Sequence, residues 1–265
     1  MAVKYGSLPF EEAITFLRNK VSIPTERWTD VWRDQHDVGF MVAGATKADL
    51  INDLFQAVDK AASQGTTLET FRQDFDETVA TYGWEYNGSR NWRTRVIYET
   101  NLRTAQQAGR HAQLTDPDVQ ARRPYWQYRH GGSADPRPEH LAWDGMVRPA
   151  DDPIWDLISP PNDWGCSCKV MALSEADLES MGITVSKPLV LETYKHVNKA
   201  TGEVTQVPVG VGPGWDYAPG RSVAARTRDH VAKKARRLPD ALARRLMTSV
   251  SRAADRDPGP APGDR

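Results

Sequence analysis

Cysteine is scarce in this sequence, and long apolar runs are missing from it. Only two of the 265 residues are cysteines, Cys166 and Cys168. A single residue separates them, so a disulfide between them would close a very short loop and restrain the unfolded chain little. No run of eighteen apolar residues occurs, so we expect no membrane-spanning helix and no membrane partner. The start, MAVKYGSLPFEEA, lacks the apolar core of a signal peptide, which predicts a cytoplasmic protein. Paired thiols in a reducing compartment indicate metal binding or simple packing.

A strong net charge is also missing, but the charges are unevenly distributed. The formal net charge of −1 gives no overall attraction to nucleic acid or membranes. Residues 1–80 carry 13 acidic and 8 basic side chains, whereas residues 221–256 carry 11 basic and 3 acidic ones. We expect the basic segment to contact either DNA phosphates or an acidic protein surface. The candidate contact residues are Arg226, Arg228, Lys233, Lys234, Arg236 and Arg237.

Apolar residues recur at helical spacing through the first third of the chain. The pattern predicts two short helices within residues 8–37, the second opening at Pro24-Thr25, and a third helix from an N-cap at Thr46 to Ala62. Thr67 is the predicted N-cap of a fourth. Residues 1–86 are therefore predicted to form a helical N-terminal domain.

The longest predicted helix covers residues 90–114. Its apolar face also carries Asn101, and a buried asparagine must find hydrogen-bond partners or lose free energy. Asn101 is thus either a structural bridge to a neighbouring loop or, together with Arg103, Arg110 and His111, part of the lining of a site.

Residues 87–185 are predicted to combine this helix with a small mixed β module. Strands are expected at 125–129, 145–148 and 164–173, with a helical turn at 137–143. Residues 186–221 then predict a β-hairpin and a glycine- and proline-rich loop, and residues 222–265 a basic helix with a disordered tail. The fold class predicted for the whole chain is α+β.

Residues 125–170 concentrate the unusual side chains, with both cysteines and four of the nine tryptophans. His140, Cys166 and Cys168 are the best metal-ligand candidates, because thiolate and imidazole are the usual donors to Zn²⁺. His130, Asp135 or Asp144 could complete a tetrahedral set. Packed thiols without a metal, or a reactive thiol, are the alternatives.

An enzymatic interpretation starts from the same residues. Asp135, His140 and Asp144 could serve as general base, general acid or orienting group, as in a small hydrolase or nuclease. The sequence has no nucleophile elbow, phosphate-binding glycine loop or metalloprotease helix in support of it. The metal-binding, packing, reactive-thiol and enzymatic interpretations of these residues all remain open at this point.

Three stretches, in this order, resemble a known family. The first is RVIYETNLRTAQQAGR at residues 95–110, and the second is Asp135-x-Arg137 followed by His140 and Asp144-Gly145. The third, PPNDWGCSC at residues 160–168, includes Trp164 and both cysteines. Together they are similar to the Mu F-like head-morphogenesis proteins of tailed bacteriophages. Ser167 stands where the family usually has arginine, so no role that needs a guanidinium there carries over.

The resemblance implies a minor head, or minor capsid, protein that acts in head morphogenesis. It implies binding to the portal vertex or the procapsid interior, with the portal protein, the major capsid protein or both as partners and packaged DNA as a further contact of the basic segment. A DNA-contacting protein that is ejected from the head with the DNA is the alternative that the family also offers. The expected location is the host cytoplasm during assembly and then the virion head. Some relatives carry extra cysteines near the position of His140, consistent with a small metal or disulfide knot.

Overall fold

The structure is a computed structural model, and it describes residues 9–199 and 201–222. The predicted basic helix, with its six candidate contact residues from Arg226 to Arg237, lies outside these residues. Within them, helices dominate the first half and short strands the second, which confirms the predicted α+β class. No helix in the described ranges is long and apolar enough to span a membrane.

The first half is built from helices joined by short irregular segments. Its elements, in chain order, are α1 (Glu11–Arg18), β1 (Val21–Ser22), two 3-10 turns (Trp28–Asp30 and Arg33–Asp37), β2 (Gly39–Phe40), α2 (Ala48–Gln64), α3 (Leu68–Tyr82) and α4 (Arg90–Leu114). The two short strands pair in parallel.

Local capping explains where several helices begin and end. The Thr67 hydroxyl accepts a hydrogen bond from the backbone N–H of Thr70, as predicted for the start of α3. Ser89 caps α4 in the same way, through the N–H of Trp92. The prediction for α2 was wrong by one residue, because Lys47 rather than Thr46 occupies the N-cap position and makes no side-chain cap bond.

The predicted second helix, after Pro24-Thr25, is also wrong, because this segment forms the two 3-10 turns instead. The Asp30 carboxylate accepts hydrogen bonds from the backbone N–H groups of Glu26 and Arg27, both at 2.9 Å. Arg33 has a φ of 50°, which interrupts any continuous α-helix through this segment. Side-chain bonds to local backbone compete with helix formation, and here they prevail.

The second half surrounds a three-stranded sheet. The elements are α5 (Pro117–Arg122), β3 (Tyr125–Arg129), α6 (Pro138–Ala142), β4 (Val147–Pro149), α7 (Trp155–Ile158), β5 (Lys169–Leu173), α8 (Glu175–Met181), β6 (Thr193–Val197) and β7 (Val204–Pro208). Strand β3 lies in the centre of the sheet, with β4 and β5 antiparallel on either side. Strands β6 and β7 form the predicted hairpin.

The predicted strand at 164–173 was too long. Only Lys169–Leu173 pairs with β3, and the preceding residues form a loop. Gly165 has a φ of 73°, and the Cys166 N–H donates to the Asp163 carbonyl to close a turn. Both cysteines therefore lie in a loop, where their side chains can face the same point.

The loop after β7 returns to the N-terminal segment. The Asp37 carboxylate accepts hydrogen bonds from the backbone N–H groups of Gly220 and Ser222 and, at 2.7 Å, from the Ser222 hydroxyl. Arg33 and Asp216 form an ion pair of 2.7 Å. These contacts connect the two ends of the described chain.

Helix α4 is shared by two hydrophobic cores. Its residues Ile97 and Ala105 pack with α1, α2 and α3, whereas Leu114 at its end packs in the core of the β module. The turn at Asn87-Gly88 precedes α4, but apolar residues from before and after this turn pack in the same hydrophobic core. The division into units at residues 1–86, 87–185 and 186–221 therefore stays a proposal.

Candidate functional site

The two cysteines and one histidine meet in the interior of the β module. His140 lies on α6, and its Nδ1 atom is 3.8 Å from the Cys166 sulfur and 3.7 Å from the Cys168 sulfur. All three side chains are buried. Their ligand atoms lie within 4.8 Å of one another, close enough to hold one metal ion.

The other ring nitrogen of His140 determines which tautomer this cluster uses. His140 Nε2 lies 2.8 Å from the carbonyl oxygen of Gly210. A carbonyl can only accept a hydrogen bond, so the proton is on Nε2 and the lone pair of Nδ1 faces the two sulfurs. The ring plane also stacks on Trp143, with the centroids 5.4 Å apart.

The two thiols influence each other's protonation. The hydrogen bond between them raises the pKa of Cys166, and burial raises it further. The same hydrogen bond lowers the pKa of Cys168, and the backbone N–H of Gly131 lowers it further, against the effect of burial, which raises it. The pair thus favours a thiolate on Cys168, the form in which sulfur binds metals.

Tyr128 and Asn162 complete the buried polar surroundings. The Tyr128 hydroxyl lies 2.8 Å from Asn162 Oδ1, and both residues are fully buried. Burial raises the pKa of Tyr128, so the phenol stays protonated and acts as a hydrogen-bond donor. Glycine is required at position 131, because a Cβ there would collide with the backbone of Ser167.

Two arginines hold the loop that carries the cysteines. Arg137 donates to the Trp164 carbonyl at 3.0 Å and pairs with Asp163, also at 3.0 Å. Arg103 on α4 donates to the Gly165 carbonyl at 2.8 Å. The loop backbone is thus restrained from two sides, next to the sulfur atoms.

The other candidates for a fourth metal ligand lie elsewhere. Asp144 is exposed, accepts a hydrogen bond from the His130 N–H at 2.8 Å and lies 3.4 Å from Arg129. Asp135 is exposed on the preceding loop. Neither carboxylate belongs to the metal-ligand group found among the described residues, and neither does His130.

Two of the candidates on α4 also lie apart from the thiols. Asn101 is half-buried, and its amide donates to the Ile97 carbonyl of the same helix at 2.9 Å. Arg110 is exposed and donates to Gln113 at 3.2 Å. Asn101 instead borders a separate, mainly apolar cavity.

That cavity, about 470 Å³ in volume, lies between the N-terminal segment and the β module. Its tryptophans are Trp28, Trp32, Trp92, Trp164 and Trp215. Trp164 is 40% exposed, and its ring packs edge-on against Trp215 with centroids 5.1 Å apart. Sequence reasoning missed this group, because its members are spread along the chain without a common spacing.

Sequence reasoning also missed the partners of His140. Tyr128 could have been found from the alternation in β3, which directs its side chain inward. No sequence pattern pointed to Gly210, which lies 70 residues from His140.

Comparison with known proteins gives the family context. Residues 52–171 match the family described as Phage Mu protein F like protein. The chain is 31% identical over 272 residues to a putative capsid assembly protein F of Escherichia phage Mu, with 92% of this chain and 61% of that protein covered. It is 34% identical over 218 residues to the Mu-like prophage FluMu F protein of Haemophilus influenzae, with 73% of this chain and 52% of that protein covered. No solved structure matches the chain.

The chain therefore spans between half and two thirds of the length of these two relatives. The matched segment begins in α2 and ends in β5, and it contains α4, strands β3 and β4 and the whole His140–Cys166–Cys168 cluster. The resemblance seen in the sequence is confirmed, and this chain belongs, through residues 52–171, to the family of Phage Mu protein F like proteins.

Proposed function

We propose that this protein acts in phage head morphogenesis, as a minor head protein that binds the portal vertex or the procapsid interior. The observation that carries the proposal is the similarity of 92% of the chain to a protein named as a putative capsid assembly protein. Its place would be the host cytoplasm during assembly and the virion head afterwards.

The tryptophans around the apolar cavity support a docking role for the N-terminal side. Trp92 is 54% exposed and Trp28 is 37% exposed, which is unusual for side chains of this size. Tryptophan is enriched at the centres of protein–protein interfaces, where burial of its large ring on binding contributes much of the affinity. We therefore assign the contact with the portal or major capsid protein to the surface that carries Trp28 and Trp92.

A test by deletion of residues 1–86 would be hard to interpret. Helix α4 packs Ile97 and Ala105 against the N-terminal helices, so the deletion would expose an apolar face and damage the fold. Surface substitutions avoid this difficulty.

The experiment compares procapsids assembled with the wild-type chain and with a Trp28→Ala/Trp92→Ala variant. We expect the double variant to be folded by circular dichroism and to co-sediment with procapsids at least tenfold less than the wild type. Val190→Ala is the matched control, because Val190 is 87% exposed and lies outside the cavity lining. Undiminished incorporation of the double variant would contradict the docking side, and absence of the wild-type chain from procapsids would contradict the function.

The basic segment supports a contact with packaged DNA as a secondary role. Its excess of 11 basic over 3 acidic side chains within residues 221–256 suits phosphate binding. We expect the full chain to bind duplex DNA with an affinity that falls steeply with salt, and a chain ending at residue 222 to lose this binding. Salt-independent binding, or binding retained by the shortened chain, would contradict this role.

The hydrolase or nuclease alternative has less support. It would place Asp144 beside His140, but the two ring nitrogens of His140 face Gly210 and the thiols instead. We therefore do not propose it.

A further inference from the structure

We propose that His140, Cys166 and Cys168 bind one Zn²⁺ ion, which ties together segments of the β module that are distant in sequence. This inference concerns the module's own stability and ligand, and it does not depend on the partner assigned above.

The distances fit a tetrahedral zinc ion. Bonds of about 2.3 Å to sulfur and about 2.05 Å to nitrogen place the two donor atoms about 3.6 Å apart at a tetrahedral angle. The observed separations between Nδ1 and the two sulfurs are 3.8 and 3.7 Å. Binding would therefore need only a small inward movement of the three side chains.

The hydrogen-bonding alternative accounts for these contacts less well. With its proton on Nε2, His140 has one lone pair on Nδ1, which can accept one hydrogen. Two sulfurs nevertheless approach that lone pair at nearly equal distances. A metal ion bound to all three atoms explains the convergence of both thiols on one nitrogen.

The surroundings match the requirements of a metal ligand set. The Nε2–H of His140 donates to the Gly210 carbonyl, an outer contact of the kind that orients most metal-binding histidines. Thiolate with imidazole is a donor combination that selects zinc over magnesium or calcium. Among the described residues, this cluster supplies three of the four ligands that a tetrahedral zinc ion takes.

The ion would join distant parts of the module. His140 comes from α6 and both cysteines from the loop before β5, while Gly210 brings in the segment after β7. Because a site of this kind forms only in the folded chain, the free energy of metal binding would add to the stability of the fold.

The experiment uses the full chain, purified without chelators and desalted after incubation with zinc chloride. Elemental analysis for zinc, iron, copper and nickel is expected to find about one zinc per chain and little of the others. Cobalt(II) added to metal-free protein should produce the near-ultraviolet charge-transfer absorption of thiolate–cobalt bonds. Either metal-free folded protein under these conditions or stoichiometric iron or copper would overturn the proposal.

Variants identify the ligands. Zinc content should fall at least fivefold in each of the variants Cys166→Ser, Cys168→Ser and His140→Gln. Glutamine is chosen because its amide can still donate to the Gly210 carbonyl, so that only the imidazole ligand is lost. Tyr128→Phe is the control, because it removes a hydroxyl next to the thiols without removing a ligand. Zinc retained by the cysteine variants, or lost equally by the tyrosine control, would overturn the assignment. Because a damaged fold also loses metal, mass spectrometry of the wild type gives an independent check. A Cys166–Cys168 disulfide in the freshly isolated protein would likewise overturn the assignment.

Discussion

The imidazole of His140 and the carbonyl of Gly210 are 2.8 Å apart, although 70 residues of sequence separate them. This contact sets the tautomer of the histidine and connects the loop after the hairpin to the cluster of thiols. It also places Gly210 against α6, so the conformation of one glycine affects the geometry of the metal-ligand group.

Substitution of Gly210 should test this connection. Gly210 has a φ of 88°, and an added Cβ would lie 2.6 Å from the Trp143 ring and 2.7 Å from Glu139. We expect Gly210→Ala to lower the free energy of unfolding by about 2–4 kcal/mol through the clash and the left-handed backbone. Urea denaturation measures the change.

Gly202→Ala is the matched control for this substitution. Gly202 also has a positive φ, of 75°, but nothing lies within 4 Å of an added Cβ. It should lose only the backbone contribution, about 1 kcal/mol. Equal losses for the two variants would contradict a role for the contact with α6.

Removal of zinc should destabilise the protein. If the ion binds the folded chain alone, a chelator abolishes its contribution, and the melting temperature of the wild type should fall by at least about 5 °C. Calorimetry with and without EDTA measures the shift. The Cys168→Ser variant should show no shift, and an equal shift in that variant would mean that the chelator acts elsewhere.

Acid should weaken the fold through His36. Burial, with a further contribution from the charge of Lys20, lowers the pKa of His36 to about 4, below the ordinary value of 6.5. The unfolded chain therefore binds more protons than the folded chain between these two values, and stability falls as the pH decreases from 6.5 to 4. After allowance for solvent screening of a half-buried group, the loss should be about 1–2 kcal/mol.

Urea denaturation of the wild type and His36→Gln across this range isolates the effect. The variant should show a flatter dependence of stability on pH. Comparison with a variant is needed because burial raises the pKa of the neighbouring Asp37, which opposes the effect of His36 at the acidic end. The same slope in both proteins would rule out His36 as the source.

Asp37 should be essential for the attachment of the returning loop. Its carboxylate accepts three hydrogen bonds from Gly220 and Ser222 while buried. Asp37→Ala leaves these donors without their acceptor, and we expect a loss of about 2–4 kcal/mol in the free energy of unfolding.

Two further variants locate the origin of that loss. Asp37→Asn retains one acceptor oxygen and should lose less than Asp37→Ala. Ser222→Ala removes only the hydroxyl bond of 2.7 Å and should lose about 1 kcal/mol. Limited proteolysis should show faster cleavage after Val211 in Asp37→Ala than in the wild type, and unchanged cleavage would contradict the attachment.

Helices and strands that follow from a local sequence pattern were predictable. Thr67 begins α3, the apolar repeat marks α2 and α4, and strands β3, β6 and β7 lie within the predicted ranges. The helical spacing did not predict the 3-10 turns at 28–37, because the hydrogen bonds that Asp30 accepts from Glu26 and Arg27 and the positive φ of Arg33 compete with that pattern. The strand predicted at 164–173 begins only at Lys169 in the structure. A turn at Gly165 keeps the two cysteines out of the pairing with β3.

The sequence by itself determined which chemistry was available: one pair of thiols, a nearby histidine, and motifs that resemble the family confirmed for residues 52–171. Only the tertiary structure decided which of the candidates meet. It brought His140 to Cys166 and Cys168, left Asp135 and Asp144 on the surface, and supplied Gly210 as the partner that orients the ring. The physical reason is that residue types and helical or strand periods follow from local sequence. The meeting of three side chains in a buried cluster depends instead on how α6, the loop before β5 and the returning chain pack together.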